Sequence, residues 1–512
     1  MNESICEDFK QNMCRKYKRG IIFCCEDKIF NIKRKVFNAR FNPDSEAEQP
    51  IIVAECQEAD EVVDCIEFAK KHDIALKVKS GGHNHAGWST GKGTLVIHLA
   101  NNINDIDITS DSKAWVYPGS RLGNVYKALQ NKGKTIPGGV CKFVNVGGLT
   151  QGGGWGLSVR KFGLTIDSLV EAEIVVAGNK GEKAHTLKVN AHENNELFWA
   201  IRGGGGGNFG VVTKFLFNLS DIGNKVHIFR INWSKDQMAE VIKAWVKFHN
   251  ANQHHDLSSF LRLSVTGEPK TAAYNATEIE CDSAVLMVGM YYGTKPDLMD
   301  ILKKHFFNYA HPICEQYRHT NCQTAQSLLM GFADDSQMDS ENTEHEKTDF
   351  SFSLHFGDEA HETPKPHKVT SAFPTDNFGD DAIRALSNFV QESHVFDKAR
   401  TYISLHALGG KVAKLSNKDT AFAFRQKKFM LQAQAWWKDK NDKHADKYMC
   451  WIEKARFTLK SYTKGAFVNF PDLDVPVAEY YGENFKLLKK IKLKYDPDNH
   501  FNYPGSIPPE GK

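Results

Sequence analysis

The sequence predicts an α+β fold in more than one domain, and three observations lead there. The chain has 512 residues, more than one hydrophobic core usually serves. Between residues 50 and 99 short β-branched runs alternate with a helical pattern, and near Ser220 the chain changes character. Hydrophobic residues make up 41% and charged residues 25%, the balance of an ordinary globular protein.

The elements follow in order. Residues 51–54 form a short β-branched strand. Residues 60–72 set Val62, Val63, Ile66 and Ala69 at helical spacing, with Phe68 off that stripe. A strand over 76–79 runs into Ser80-Gly81-Gly82-His83, and Val96, Ile97 and Leu99 mark the next. Residues 114–167 are dense in glycine, and 172–177 read as a strand. Five consecutive glycines, 203–207, lead through Asn208-Phe209-Gly210 into a strand over 211–219. Beyond Ser220, strands over 226–233, 284–292 and 402–408 alternate with helical stretches such as 238–250. The acidic segment 334–347 reads as a surface loop, and 480–495 as one helix stopped by Asp496-Pro497.

A formal net charge of +3, spread along the chain, argues against a nucleic-acid partner. The segment from Met1 to Arg19 is polar, and no stretch approaches the roughly 20 apolar residues of a membrane span. A cytoplasmic location without a membrane partner is the expectation. The 11 cysteines contain no CxxC pair, so reduced buried thiols are expected for most of them, with Cys141 the exception.

Gly205-x-Gly207-x-x-Gly210 satisfies the letter of a dinucleotide fingerprint, but a strand pattern follows where that motif needs a helix. No P-loop occurs, and His361-Glu362 with Pro366-His367 has the wrong spacing for a zinc protease, so no metal is expected. Ser80-Gly81-Gly82-His83-Asn84 and the run Gly147-Gly148-Leu149-Thr150-Gln151-Gly152-Gly153-Gly154-Trp155-Gly156 remain. Glycines allow backbone N–H groups close to a phosphate or a planar ring. Tight turns alone explain one such stretch better than they explain these two and the run 203–207 together.

These segments resemble the FAD-linked oxidases of the berberine-bridge-enzyme-like family, within the vanillyl-alcohol-oxidase-like flavoproteins. The resemblance begins near Asn38 and Pro50 and runs through Lys79-Ser80-Gly81-Gly82-His83 and Pro137-Gly138-Gly139-Val140-Cys141. It continues in Arg160, Gly163-Leu164, Asp167 and Phe198-Trp199-Ala200-Ile201-Arg202-Gly203-Gly204. It closes with Asn469, Asp472, Tyr480-Tyr481-Gly482, Asn484-Phe485 and Lys494-Tyr495-Asp496-Pro497.

The resemblance implies a two-part PCMH-type FAD-binding domain and an α/β substrate domain with a large antiparallel sheet over the flavin. The expected division is 1–220, 221–460 and a returning segment 461–512. It implies FAD bonded through His83 to the 8α carbon and through Cys141 to C6, while relatives with only the histidyl bond leave Cys141 a free thiol. Lys79, Ser80, Gly81, Gly82, Asn84, Val146, Gly147, Gly148, Gly152, Gly153, Gly154 and Gly156 are expected at the cofactor. Asn208, Gly210, Val212, Asn469, Tyr481 and Asn484 join them. Two tethers are expected to raise the flavin potential.

Oxidation of a substrate C–H also needs a base. Many relatives place a Tyr in Asn-Tyr-x-Asp, but this chain reads Asn469-Phe470-Pro471-Asp472, and Phe470 cannot serve. Other relatives carry a carboxylate near His406 or Gln432, and neither position holds one. Strand alternation puts Tyr402, Ser404 and His406 on one face, so His406, at an ordinary imidazole pKa, is the expected base, unless it is a structural histidine. Gln432 and Gln434 are expected to bind substrate hydroxyls. In relatives a Val at position 146 goes with oxidases. The expected reaction is therefore oxidation of an alcohol, such as a sugar, with oxygen as acceptor. A dehydrogenase with another acceptor and a flavin carrier without turnover are the rivals.

Overall fold

The structure, a computed structural model, describes residues 2–17, 22–24, 27–99, 106–110, 112–179, 181–223, 226–264, 284–320, 364–396 and 398–511. The acidic segment 334–347 and His361-Glu362 lie outside the described residues. The fold is mixed helix and sheet, with one large antiparallel sheet, as expected.

Strands β1 (Ile22–Phe23), β2 (Ile52–Glu55), β3 (Leu76–Lys79) and β4 (Leu95–His98) form a sheet in the order β1-β2-β4-β3. β2 and β3 both run parallel to β4, so the chain between them must cross a face, and helix Ala59–His72 makes that crossing. Val62, Ile66 and Ala69 are buried under it as the spacing predicts. Phe68 is buried too, because helix Asn2–Tyr17 brings Phe9 to it with ring centroids 4.3 Å apart. Cys6 on that helix forms a disulfide with Cys24. This corrects the expectation of reduced thiols for these two cysteines, while Cys56, Cys65, Cys141, Cys314 and Cys450 are free.

The next strands are β5 (Ile106–Ser110), β6 (Lys113–Val116), β7 (Lys134–Thr135), β8 (Leu169–Val176), β9 (His185–Asn190), β10 (Val211–Asn218) and β11 (Ser220–Asp221). Five of them form an antiparallel sheet, β5-β6-β10-β8-β9, while β7 pairs with β11. The glycine run thus leads into β10, the central strand of this sheet.

The remaining strands are β12 (Val226–Trp233), β13 (Leu257–Ser264), β14 (Val285–Tyr291), β15 (Cys314–Thr320), β16 (His367–Pro374), β17 (Ala399–Ala407), β18 (Phe429–Trp437) and β19 (Thr463–Lys464). They form one antiparallel sheet, β15-β12-β14-β13-β17-β18-β16-β19. Alternation sorts its two faces. Ile231, Trp233, Leu261, Met287, Ile403, Leu405 and Leu431 pack with Ile242, Trp245, Leu298, Leu386 and Ile452 of four covering helices. At about 1.5–3 kcal/mol per buried side chain, this core holds the sheet rigid behind its other face. On that face Ile228, Phe260, Leu286, Val288 and Met430 pack on Trp155, Leu157, Leu164 and Ile166.

The chain then returns: Ala466, Val468, Tyr481, Leu488, Ile491 and Ile507 join the core of Val116, Phe198 and Phe215. Residues 480–495 are not one helix. Helix Val477–Tyr481 ends at Gly482, whose φ of 49° an L side chain rarely adopts, and Phe485–Tyr495 follows after a 3-10 turn. Buried charge also joins residues 160–167 to the segments beside β13 and β18. Asp167 pairs with Arg425 at 2.7 Å, and Arg160 donates to the carbonyls of Leu257 and Gln253, both at 2.8 Å. No described helix is long and apolar enough to cross a membrane.

Candidate active site

The loop after β3 is fixed residue by residue. Lys79 is buried, with its pKa lowered by desolvation to about 7, and its Nζ donates to the carbonyls of Lys33 and Lys35. Ser80 Oγ donates to Pro118 O at 2.5 Å. Asn84 Oδ1 accepts from the N–H groups of Ala86 and Trp88, an Asx-type turn that redirects the chain past His83. A Cβ on Gly81 would lie 2.7 Å from Asn145 Oδ1, so only glycine lets the two segments approach.

His83 stacks on Phe37 with centroids 4.6 Å apart and hydrogen-bonds to the backbone of Phe143. Desolvation, followed by the charges of His85 and Arg121, lowers its pKa to about 3, so the imidazole is neutral. The Cys141 thiol is hydrogen-bonded by the backbone of Phe143 and Val144, and burial raises its pKa. One residue, Phe143, therefore touches both side chains, which the sequence separates by the whole of β4 to β7.

The long glycine stretch divides by role. Helix Val146–Gln151 contains Gly148, whose Cα faces open space, while Val146 is fully buried. A Cβ on Gly147 would lie 2.9 Å from Pro118. Added Cβ atoms on Gly152, Gly154 and Gly156 would collide with Asn469, Thr165 and the Gly138 carbonyl, and one on Gly153 would press on Phe467. Gly210 packs against the Val175 carbonyl, and Val212 is a buried β10 residue. Asn208 bonds Gly204 O and the N–H of Ile507, Tyr481 bonds Gly204 O, and Asn484 bonds three carbonyls of residues 417–421. Asn469 Nδ2 donates to Leu149 O. These residues hold the walls together through bonds to the protein.

On the facing sheet, β13, β17, β18 and β16 bring Phe260, His406, Ser404, Tyr402, Gln432, Gln434 and Ser371 into register. His406 Nε2 lies 3.0 Å from Gln432 Oε1, and Tyr402 OH and Trp436 Nε1 both donate to Gln434 Oε1. Because the Gln432 oxygen only accepts, Nε2 of His406 carries the proton and Nδ1 is the lone pair. That Nδ1 is buried and has no partner among the described residues. Trp155 stands edge-on to the ring at 4.5 Å, and Phe470 lies 5.7 Å away. Burial pushes the His406 pKa down to about 3, which corrects the expectation of an ordinary value. The ring is neutral at pH 7 and weakly basic until a substrate changes its surroundings.

Sequence reasoning missed a histidine pair. His85 Nδ1 lies 2.9 Å from His367 Nε2, and His367 stacks on Trp436 at 3.9 Å. His85 also lies 6.0 Å from Phe470. The sequence gives no sign of this, since the partners are separated by 282 positions.

Four buried polar atoms, Trp88 Nε1, Ser89 Oγ, Ser120 Oγ and Thr150 Oγ1, have no partner among the described residues. Such atoms are costly unless a ligand or water meets them. The open space beside Gly148 and the shared contact of His83 and Cys141 with Phe143 suit a ligand with a planar ring.

The comparisons with known proteins agree. Residues 50–184 match the model of an FAD binding domain, and residues 466–508 match the berberine and berberine-like model. The FAD-linked oxidoreductase YgaK of Bacillus subtilis (strain 168) is 30% identical over 90% of this chain and 91% of its own. Berberine bridge enzyme-like 12 of Arabidopsis thaliana is 29% identical, covering 93% and 88%. Among solved structures, glucooligosaccharide oxidase from Acremonium strictum, described with a 6-S-cysteinyl, 8α-N1-histidyl FAD, superposes with a TM-score of 0.80 at 21% identity, covering 98% and 100%. Chitooligosaccharide oxidase gives 0.79 at 21% identity, covering 98% and 99%. The fold and site define an FAD-dependent oxidoreductase. The chain belongs to the berberine-bridge-enzyme-like family of FAD-linked oxidoreductases, and FAD is its cofactor.

Proposed function

We propose that this enzyme holds FAD by two covalent bonds, through His83 and Cys141, and oxidises an alcohol group of a sugar or oligosaccharide with oxygen as acceptor. The observation that carries the reading is the meeting of His83 and Cys141 on the backbone of Phe143. When bound, the flavin supplies the acceptor for a hydride and passes the electrons to oxygen.

The chain supplies the rest. His406 receives the hydroxyl proton at Nδ1, while Gln432 holds the ring in the tautomer that leaves this atom free. Gln434, braced by Tyr402 and Trp436, presents its remaining amide donors to substrate hydroxyls. Trp155, Phe260 and Phe470 exclude water around His406. Asn84, Gly147, Gly148 and the hydroxyls of Ser120 and Thr150 line the cofactor. Val146 leaves space for oxygen, the feature that favours an oxidase over a dehydrogenase.

The test is anaerobic mixing with a panel of alcohols, sugars and oligosaccharides. Bleaching by a saccharide, with stoichiometric hydrogen peroxide on admitting air, is the expected result. Bleaching without peroxide would make the enzyme a dehydrogenase, and bleaching by no compound would overturn the reading.

A further inference from the structure

The His85–His367 pair has an internal logic that fixes its protons. His367 Nδ1 lies 2.9 Å from the carbonyl oxygen of Lys365, which can only accept, so Nδ1 carries the proton. In a neutral ring, His367 Nε2 is then an acceptor, and the 2.9 Å contact requires His85 Nδ1 to be the donor. His85 Nε2 is left as a bare lone pair, on a ring only partly buried. Burial keeps His85 neutral, with a pKa of about 4, and drives His367 well below its ordinary value. The pair is held from outside: His367 lies on Trp436, and Asn38 donates to the backbone carbonyls of both His85 and His367, at 2.7 and 2.9 Å.

The position matters because of what surrounds His83. Phe37 stacks on His83 at 4.6 Å and lies 5.8 Å from His367, which sets the histidine pair beside His83. The groups whose charges couple to His83 are His85, His367 and Arg121, and both nitrogens of His367 are already bonded. The Arg121 guanidinium has N–H donors and no acceptor. His85 has one, at Nε2.

We propose that His85 Nε2 is the base that accepts the proton released when the cofactor becomes bonded to His83, with His367 and the Lys365 carbonyl setting its tautomer. The proposal rests on the reading that His83 carries the histidyl link. Attachment forms a bond between a ring nitrogen of His83 and the methyl carbon of the cofactor ring, and breaks a methyl C–H bond. The proton goes to His85 Nε2, and the electron pair goes to the cofactor ring, which ends two electrons reduced. Molecular oxygen then reoxidises it and leaves as hydrogen peroxide. His85 acts here before any substrate is turned over.

The full-length protein is expressed as wild type, His85→Asn, His85→Ala and His367→Phe. Each is purified in air, digested, and the peptides carrying His83 and Cys141 are weighed. In wild type the flavin is expected on both. In His85→Asn the flavin on the His83 peptide falls at least tenfold, by the usual contribution of roughly 10²–10⁴ for a positioned base. The cysteinyl link persists, which shows a folded, occupied site. His367→Phe keeps a ring against Trp436 but frees the His85 tautomer, so it slows attachment partially. Imidazole added to His85→Ala restores the histidyl link.

A fully flavinylated His83 in His85→Asn would overturn the proposal, as would failure of imidazole to restore attachment in His85→Ala. Wild type without flavin on the His83 peptide is a separate result, which overturns the histidyl reading itself.

Discussion

At the scale of single residues, the site is organised by which nitrogen of each histidine carries a proton. Gln432 fixes Nε2–H on His406, and Lys365 fixes Nδ1–H on His367. His406→Gln is therefore expected to lower the rate of flavin reduction by a saturating substrate about 100-fold, the usual scale of a lost base. Stopped-flow reduction of variant and wild type with equal flavin content checks this, and a change below threefold would assign the proton elsewhere. Gln432→Leu removes the tautomer restraint while sparing the ring, so it should slow reduction less than His406→Gln does. Phe470 offers no proton acceptor, yet its ring lies near both His406 and His85, so it shapes the wall between them.

At the scale of elements, the glycines of residues 147–156 separate into packing and exposure. A Cβ on Gly156 would sit 1.8 Å from the Gly138 carbonyl, backbone against backbone. Gly156→Ala should then destabilise the protein by about 1–3 kcal/mol or more, read as a lowered Tm. Gly148 has open space beside it within helix Val146–Gln151, so Gly148→Ala should keep or raise the Tm while flavin content falls. Equal effects from both substitutions would contradict this division. Strand periodicity made the β17 face readable in advance, because alternation needs only local sequence: Tyr402, Ser404 and His406 do share it. The break at Gly482 was hidden because helical spacing continues across it. The N-terminal helix and its Cys6–Cys24 bond were missed because nothing local in a polar segment says that Phe9 will cover Phe68. The His85–His367 contact depends on β16 meeting a loop 282 residues earlier, which no local pattern encodes.

At the scale of the molecule, buried ionisable groups set how the protein responds to pH. His85, His98 and His406 have folded pKa values of about 4, 4 and 3, all lowered first by burial. An unfolded chain takes up these protons near its ordinary pKa of about 6.5. The stability is thus fully present above about pH 6.5 and declines as pH falls towards 4, by up to about 1.4 kcal/mol per pH unit for each histidine. Thermal unfolding should show a Tm that drops between pH 7 and pH 5, and a flat or rising Tm would contradict the buried neutral rings. The Asp167–Arg425 pair, almost wholly buried, makes a second expectation. Asp167→Ala leaves an unpaired buried charge and should cost about 3–5 kcal/mol in denaturant unfolding.

Whether two covalent tethers hold one flavin is read out by acid precipitation of the holoenzyme followed by intact mass. Flavin in the pellet and a mass increased by one FAD are expected in wild type. Flavin is likewise retained through the remaining link in His83→Ala and in Cys141→Ala. Flavin released to the supernatant from wild type, or from Cys141→Ala alongside an unmodified His83, would contradict the double attachment.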